Sequence, residues 1–209
     1  MKSKKTIVFI TFQKKCLKKT TLIIFPILCF LFSCSSTNIE KQILNDFLNK
    51  EFITDKYICI LVEEAIPKTK ALDFYENAYK DRNLVKTLGF SPIGSPPFTW
   101  EVDSIDVAIL KQKYKNDTLV YHWKSSDLID HKLKIFPYKT LKKRGSRELG
   151  EYGIYLSKPI ITSNKKYAFI FYRSFAVEVG FSSEKAVLLK KVDGTWKILY
   201  YYVNNSEVN

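Results

Sequence analysis

Asp193-Gly194 stands between two runs of strand-forming residues, Lys185–Val192 and Thr195–Val203, and this is the tightest constraint on what the chain can fold into. A two-residue connection closes a hairpin through a type I′ turn, which needs positive φ at both central positions; Asp and Gly accept that geometry. The turn then sets the register. Val192 falls opposite Thr195, and Lys191–Trp196, Leu189–Ile198 and Val187–Tyr200 share one face, which is apolar enough to meet a core. The other face carries Lys190–Lys197 and Leu188–Leu199, solvated near the turn. Two further runs, Tyr155–Ile161 and Tyr167–Val177, are rich in β-branched and aromatic residues and read as strands.

Upstream, the periodicity changes. Ile39, Ile43, Leu44, Phe47 and Leu48 recur at helical spacing and predict a helix over Asn38–Lys50, with Asn38 able to cap it. Tyr57–Glu63 reads as a strand, and Leu72, Tyr75, Ala78 and Tyr79 put a second helix over Lys70–Lys80. Residues 89–97 hold two glycines and three prolines, so they predict a long loop, a candidate lip of a functional site. A third helix over Ser104–Lys115 and a strand over Leu119–Trp123 complete the pattern. The expected fold is α+β: N-terminal helix or helices packed on a curved antiparallel sheet built mainly from the C-terminal half.

The first 33 residues obey different rules. They carry seven lysines and no acid, and an apolar stretch from Leu22 leads to Leu31-Phe32-Ser33-Cys34. A basic segment followed by a short apolar one is the order of a secretory signal. The stretch is shorter than the about 20 residues that span a bilayer. A hydrophobic residue three before a cysteine and a small residue just before it form a lipobox, with the nucleophilic Cys34 thiol as lipid acceptor. Pro26 within the apolar stretch and the bulky Phe32 depart from the usual form. The expected organisation is a signal peptide over 1–33, a lipidated Cys34 and short tether over 34–38, and a single α+β domain over 39–205. The expected partner is a membrane, reached through the lipid on Cys34.

Removing the leader changes the charge argument. The whole chain carries 34 basic and 21 acidic residues, a net +13; with seven lysines gone, 27 face 21 and the remainder is +6. Such a mild excess, without a basic stripe, speaks against nucleic acid as a partner. Cys16 and Cys29 lie in the leader and Cys34 takes the lipid, so Cys59 alone remains, in the apolar run Tyr57–Val62. No disulfide within the processed chain can form, and Cys59 reads as a small core hydrophobe.

The densest polar constellation is His122-Trp-Lys-Ser125-Ser126-Asp127-Leu-Ile-Asp130-His131, which holds both histidines. Imidazole can act as base or metal ligand and carboxylate can orient it, so His122, Asp127, Asp130 and His131 are candidates for a polar site. Their spacing matches no short metal motif, and a loop joining two strands, with Ser125 and Asp127 bonding locally, accounts for the same residues. Glu63 and Glu64, adjacent in a strand, should face opposite ways and share no site. Tyr201, with Arg173 or Lys197 nearby, is the candidate binding face for an envelope protein or a glycan, since tyrosine joins a flat apolar ring to a polar tip.

The run SKPIITSNKKYAFIFYRSF, followed by KAVLLKKVDGTWKILYYYV, resembles the closing strands of uncharacterised lipoproteins from Bacteroidota-type bacteria. The resemblance covers roughly residues 154–203 and the leader. It implies a small curved antiparallel sheet with helices on one side, and brings no catalytic residue with it. The chain is therefore expected to be exported and lipid-anchored, at the outer membrane facing the periplasm of a Gram-negative bacterium. There it would serve as a non-enzymatic binding or assembly module of the envelope, with no catalytic residue, cofactor or metal assigned. The rivals are an envelope hydrolase using the His122–His131 region and a lipoprotein immunity factor or inhibitor.

Overall fold

The computed structural model describes residues 38–52, 59–84, 89–94, 96–117, 119–129, 133–143, 152–176 and 182–207. Among these, four helices and eight strands follow one another: α1 (38–51), β1 (Cys59–Val62), α2 (Thr69–Lys80), β2 (Phe90–Ile93), α3 (Ser104–Tyr114), β3 (Lys134–Phe136), α4 (Tyr138–Lys143), β4 (Tyr152–Leu156), β5 (Ile160–Ile161), β6 (Tyr167–Ala176), β7 (Ser182–Val192) and β8 (Thr195–Asn204). The chain divides into Met1–Glu40, of which only the start of α1 is described, and a compact unit, Lys41–Asn209, that holds everything below. The lipobox, Asp130 and His131 lie outside the described residues, as does the side chain of Cys59. No helix among the described residues is long and apolar enough to cross a membrane.

The fold is α+β on one mostly antiparallel sheet, ordered β2-β8-β7-β6-β4-β1-β3, with β5 also on β6. The Asp193-Gly194 turn is as the residues require, with φ of 50° and 82°. Val192 pairs with Thr195, Lys191 with Trp196, Lys190 with Lys197 and Leu189 with Ile198, the expected register. Beyond that point it slips. Leu188 meets Tyr200 rather than Leu199, and Val187 meets Tyr201 rather than Tyr200, because Leu199 is an extra residue that bulges from β8.

Strand β6 lies at the centre, and Tyr167–Tyr172 are buried without interruption. Successive side chains point to opposite faces, so such a run means cover on both sides. Phe169 and Phe171 meet α2, with Tyr75 and Phe74 rings 5.3 and 5.0 Å away. Tyr172 meets α1 on the other face, 5.4 Å from the Phe47 ring. The expectation of helices on one side of the sheet is thus corrected: α1 covers one face, α2 and α3 the other. The helices carry the apolar stripes the periodicity predicted. Ile43, Leu44, Phe47 and Leu48 are buried in α1, and Ala71, Leu72, Phe74, Tyr75 and Ala78 in α2.

Four local readings are corrected by context. Residues 90–93 do form a strand, β2, despite Pro92; β2 lies on the sheet edge, where a missing N–H is tolerated. Residues 119–123 form no strand. β1 is flanked on both sides, by β3 and β4, so this segment reaches only the residues past its end, through Tyr121 accepting from Ala65 and Trp123 donating to Glu63. The run Tyr155–Ile161 divides into β4 and β5 around Ser157-Lys158-Pro159, with the buried Ser157 accepting at Oγ from the Phe171 N–H at 2.8 Å. Finally, β1 pairs parallel with both β3 and β4, so the sheet is mixed at that end.

Trp196 is buried on the α1 face, where its backbone N–H donates to Asp46 Oδ2 at 2.8 Å; its indole Nε1 has no hydrogen-bond partner among the described residues. Trp196→Ala should cost about 3–5 kcal/mol through cavity formation. Trp196→Phe should cost far less, since it keeps a ring and removes an unpaired buried donor. Urea unfolding of the two variants beside the parent checks both; equal midpoints for Ala and parent would mean the indole packs nothing.

Candidate binding cleft

Helix α2 ends at Lys80, and the chain turns through Asp81, Arg82, Asn83 and Leu84. The Asp81 carboxylate reaches across to the next element, accepting the Phe90 N–H at Oδ2, 2.9 Å away. Gly89, at φ +68°, makes that approach possible: a Cβ there would stand 2.4 Å from Asp81 Oδ2. Between this turn and the wall formed by Phe90, Pro92, Pro96, Phe98 and Trp100 opens a cleft of about 400 Å³.

Each residue of the segment 98–102 is fixed by contacts with distant parts of the chain. The Phe98 ring lies edge-on to Tyr200 at 5.8 Å, and the Thr99 N–H donates to the Tyr200 hydroxyl at 3.3 Å. Trp100 sits between Tyr75 and Tyr79, with centroids 5.7 and 5.2 Å away. Glu101 accepts from the Tyr167 hydroxyl and from Lys190 Nζ at 3.4 Å. Tyr75 donates through its hydroxyl to the Val102 carbonyl at 2.6 Å. Opposite, Arg82 lies over the Tyr79 ring, 4.2 Å from its centroid, and donates through Nη1 to the Tyr79 carbonyl at 2.7 Å. The walls are therefore braced by the protein itself. Phe98 and Trp100 remain half-buried, while Arg82 and Asn83 are exposed at the rim.

The polar segment is arranged differently. His122 is exposed, with Nδ1 3.1 Å from Glu63 Oε1. Asp127 turns back on its own loop, its Oδ2 accepting from the Tyr121 hydroxyl at 2.7 Å and the Lys124 N–H at 2.9 Å. Glu64 points elsewhere and accepts the Tyr138 N–H. Among the described residues no three His, Cys, Asp or Glu side chains gather as a metal site would need.

Arg173, Lys197 and Tyr201 are not brought together. Arg173 pairs with Glu184, which also lies 3.9 Å from Lys70 of α2. Lys197 pairs across the hairpin with Lys190, on that same α2 side. Tyr201 faces α1 and donates to Glu51, beside Tyr172. The bulge at Leu199 separates them, since without it Lys197 and Tyr201, four residues apart, would share a face.

A second concavity, about 650 Å³, lies between Ala65–Thr69 and the segment around Tyr114 and Tyr121. Lys68 lies over the Tyr114 ring at 4.1 Å and pairs with Asp117; Lys158 lies over Tyr121 at 4.6 Å. Leu119 and Val120 stand exposed on its rim.

Nothing in the candidate residues chosen from sequence pointed to Arg82, Asn83, Phe98 or Trp100. The available signal was Phe98-Thr-Trp100 directly after the proline-rich segment 89–97, two aromatics in alternation where a plain connector would be polar. Comparison of the chain with protein-family models, curated proteins and solved structures finds no match in any of the three.

Two carboxylates tie the α2 side together, Glu101 to the sheet and Glu76 to α3. The Tyr167 hydroxyl, then Thr99 and Lys190, hold Glu101 below the usual carboxylate range against the opposing effect of burial. Lys111 of α3 and Lys80 do the same for Glu76 of α2. A carboxyl depressed by folding contributes stability that is complete above its unfolded pKa and is lost as pH falls through its lower folded value. Stability should therefore fall on acidification below the ordinary glutamate range. The double variant Glu76→Gln, Glu101→Gln should be weaker at neutral pH and show a flatter acid limb in urea midpoint against pH. An acid limb identical to the parent's would remove these two groups from the account.

Proposed function

We propose that the chain is a lipid-anchored binding module of the bacterial cell envelope, exported, acylated at Cys34 and working by non-covalent recognition. Its location on this reading is the outer membrane, facing the periplasm. Support for the tether comes from the lysine-rich leader ending in Leu31-Phe32-Ser33-Cys34 and from the resemblance of the C-terminal strands to envelope lipoproteins. The single observation that carries the binding role is the braced cleft. Its aromatic groups and the Asp81 and Arg82 side chains are held by contacts within the protein, so little ordering cost falls on a ligand. With only Ser35-Ser36-Thr37-Asn38 between Cys34 and the first predicted helical residues, the module would work close to the membrane surface.

Fractionation tests the tether. Acyl chains contribute about 0.8 kcal/mol per buried methylene, and two or more hold stably where one does not. Cys34→Ala should therefore leave the membrane fraction and retain its unprocessed leader. Equal retention and processing in the parent and the variant would overturn the lipoprotein reading.

The rival hydrolase is tested at the histidines, whose ordinary pKa suits proton transfer near neutral pH. His122→Ala with His131→Ala should leave any envelope phenotype of a deletion strain fully complemented. General acid–base assistance is worth about 10²–10⁴-fold in rate. Failed complementation by a variant with unchanged melting and circular dichroism would displace the binding module in favour of the hydrolase.

A further inference from the structure

We propose that the cleft beside Trp100 is a saccharide site, taking a neutral hexose or acetamido-hexose unit of a glycan; this rests on the binding-module reading and names its ligand. A pyranose ring carries C–H groups on its faces and hydroxyls around its edge. A matching site needs a flat apolar wall and planar hydrogen-bonding groups at the rim. The half-buried Phe98 and Trp100 rings supply the wall. Aromatic faces carry partial negative charge that attracts such C–H groups. Asp81, Arg82 and Asn83, consecutive on the turn after α2, supply a carboxylate acceptor, guanidinium donors and an amide that does both.

Charge narrows the class further. Asp81 and Arg82 offset one another at the same rim, so the cleft favours neither a phosphate nor a strongly basic or acidic peptide. Its volume of about 400 Å³ suits a small ligand rather than a protein segment. Two of the planar groups are also oriented in advance. Among the described residues Asp81 is anchored through Oδ2, and Oδ1 is the atom we assign to meet a hydroxyl. Arg82 is held flat on Tyr79. The larger concavity near Tyr121 lacks this pattern: Lys68 and Lys158 lie over its tyrosine rings, and Lys68 is paired with Asp117.

The experiment titrates the full-length protein, in a detergent without a sugar headgroup, with N,N′-diacetylchitobiose, cellobiose and methyl glucoside. Calorimetry measures binding, and intrinsic fluorescence locates it: Trp123 and Trp196 are each only 3 % exposed, so a sugar at the cleft acts on Trp100. At least one sugar should bind saturably. Arg82→Ala and Asn83→Ala should each weaken binding by roughly tenfold, the size of losing one such hydrogen bond. Asn83 is exposed, so its variant should melt like the parent. Trp100→Phe should abolish the fluorescence response while calorimetric binding persists. Saturable binding by none of the three sugars, or binding untouched by both rim variants, overturns the assignment. Repeating the titration on Cys34→Ala separates the two readings. Binding retained by a protein that has left the membrane supports the saccharide site whatever the tether does. Absent binding in a parent protein that stays on the membrane removes the sugar and leaves the tether standing.

Discussion

Burial of β6 on both faces is the constraint on which the rest of this structure depends. A strand whose side chains alternate cannot hide Tyr167 through Tyr172 by packing against one layer. It requires two, and the chain provides them from separate amphipathic stripes, α1 before the sheet begins and α2 before its C-terminal strands, with α3 packed against α2. Each layer is also tied to the sheet by polar contacts. Glu51 of α1 accepts from the Tyr172 and Tyr201 hydroxyls, and Asp46 accepts the Trp196 N–H. On the other face, Lys70 of α2 lies 3.9 Å from Glu184 of β7, while Asp73 and Glu76 of α2 share Lys111 of α3, each at 2.7 Å. These pairs are partly exposed, so their role is to set how the helices lie; burial of the aromatic layer supplies most of the stability.

The cleft follows from the same arrangement. Helix α2 lies across the sheet with Tyr75 buried between the Phe169 and Tyr202 rings, and its last turn carries Tyr79 to the edge. There the sheet ends in β2, a short strand with a proline, which offers little to a neighbouring chain. The segment 98–102 crosses back over this corner and is caught by Tyr200, Tyr75 and Tyr167. A hollow remains where the turn after α2, the edge strand and this crossing segment fail to fill the corner. Its walls are rigid for reasons of packing, which is the condition under which a concavity can select a ligand instead of collapsing on itself.

What the sequence made legible was local. The Asp193-Gly194 turn and the α1 and α2 stripes depend on residues a few positions apart. The misread segments depend on distant partners. Residues 119–123 have strand composition, yet β1 is already paired on both sides, with β3 from Lys134 and β4 from Tyr152. Residues 90–93 have loop composition, yet β8 offers an edge that a proline can join. The cleft was hidden for the same reason: its aromatic wall is held by Thr99 meeting Tyr200, 101 residues away. The polar run from His122 drew attention by composition, and its Asp127 is spent on a local turn, as such residues commonly are.

The bulge at Leu199 shows how one residue of register reaches the surface chemistry. Before it, Trp196 and Ile198 alternate correctly from the turn; after it, every side chain of β8 has changed face. Tyr201 is thereby turned to α1, where its hydroxyl donates to Glu51, and Tyr200 and Tyr202 are turned to α2. Tyr200 then holds Phe98 and Thr99, and Tyr202 packs 6.1 Å from Trp100. Were Leu199 paired regularly instead of bulged, Tyr201 would take the α2 side and the two tyrosines that brace the cleft would lie under α1. The triple tyrosine is therefore three different residues in structural terms. One fastens the N-terminal helix, and the two on either side of it shape the wall on which a ligand would rest.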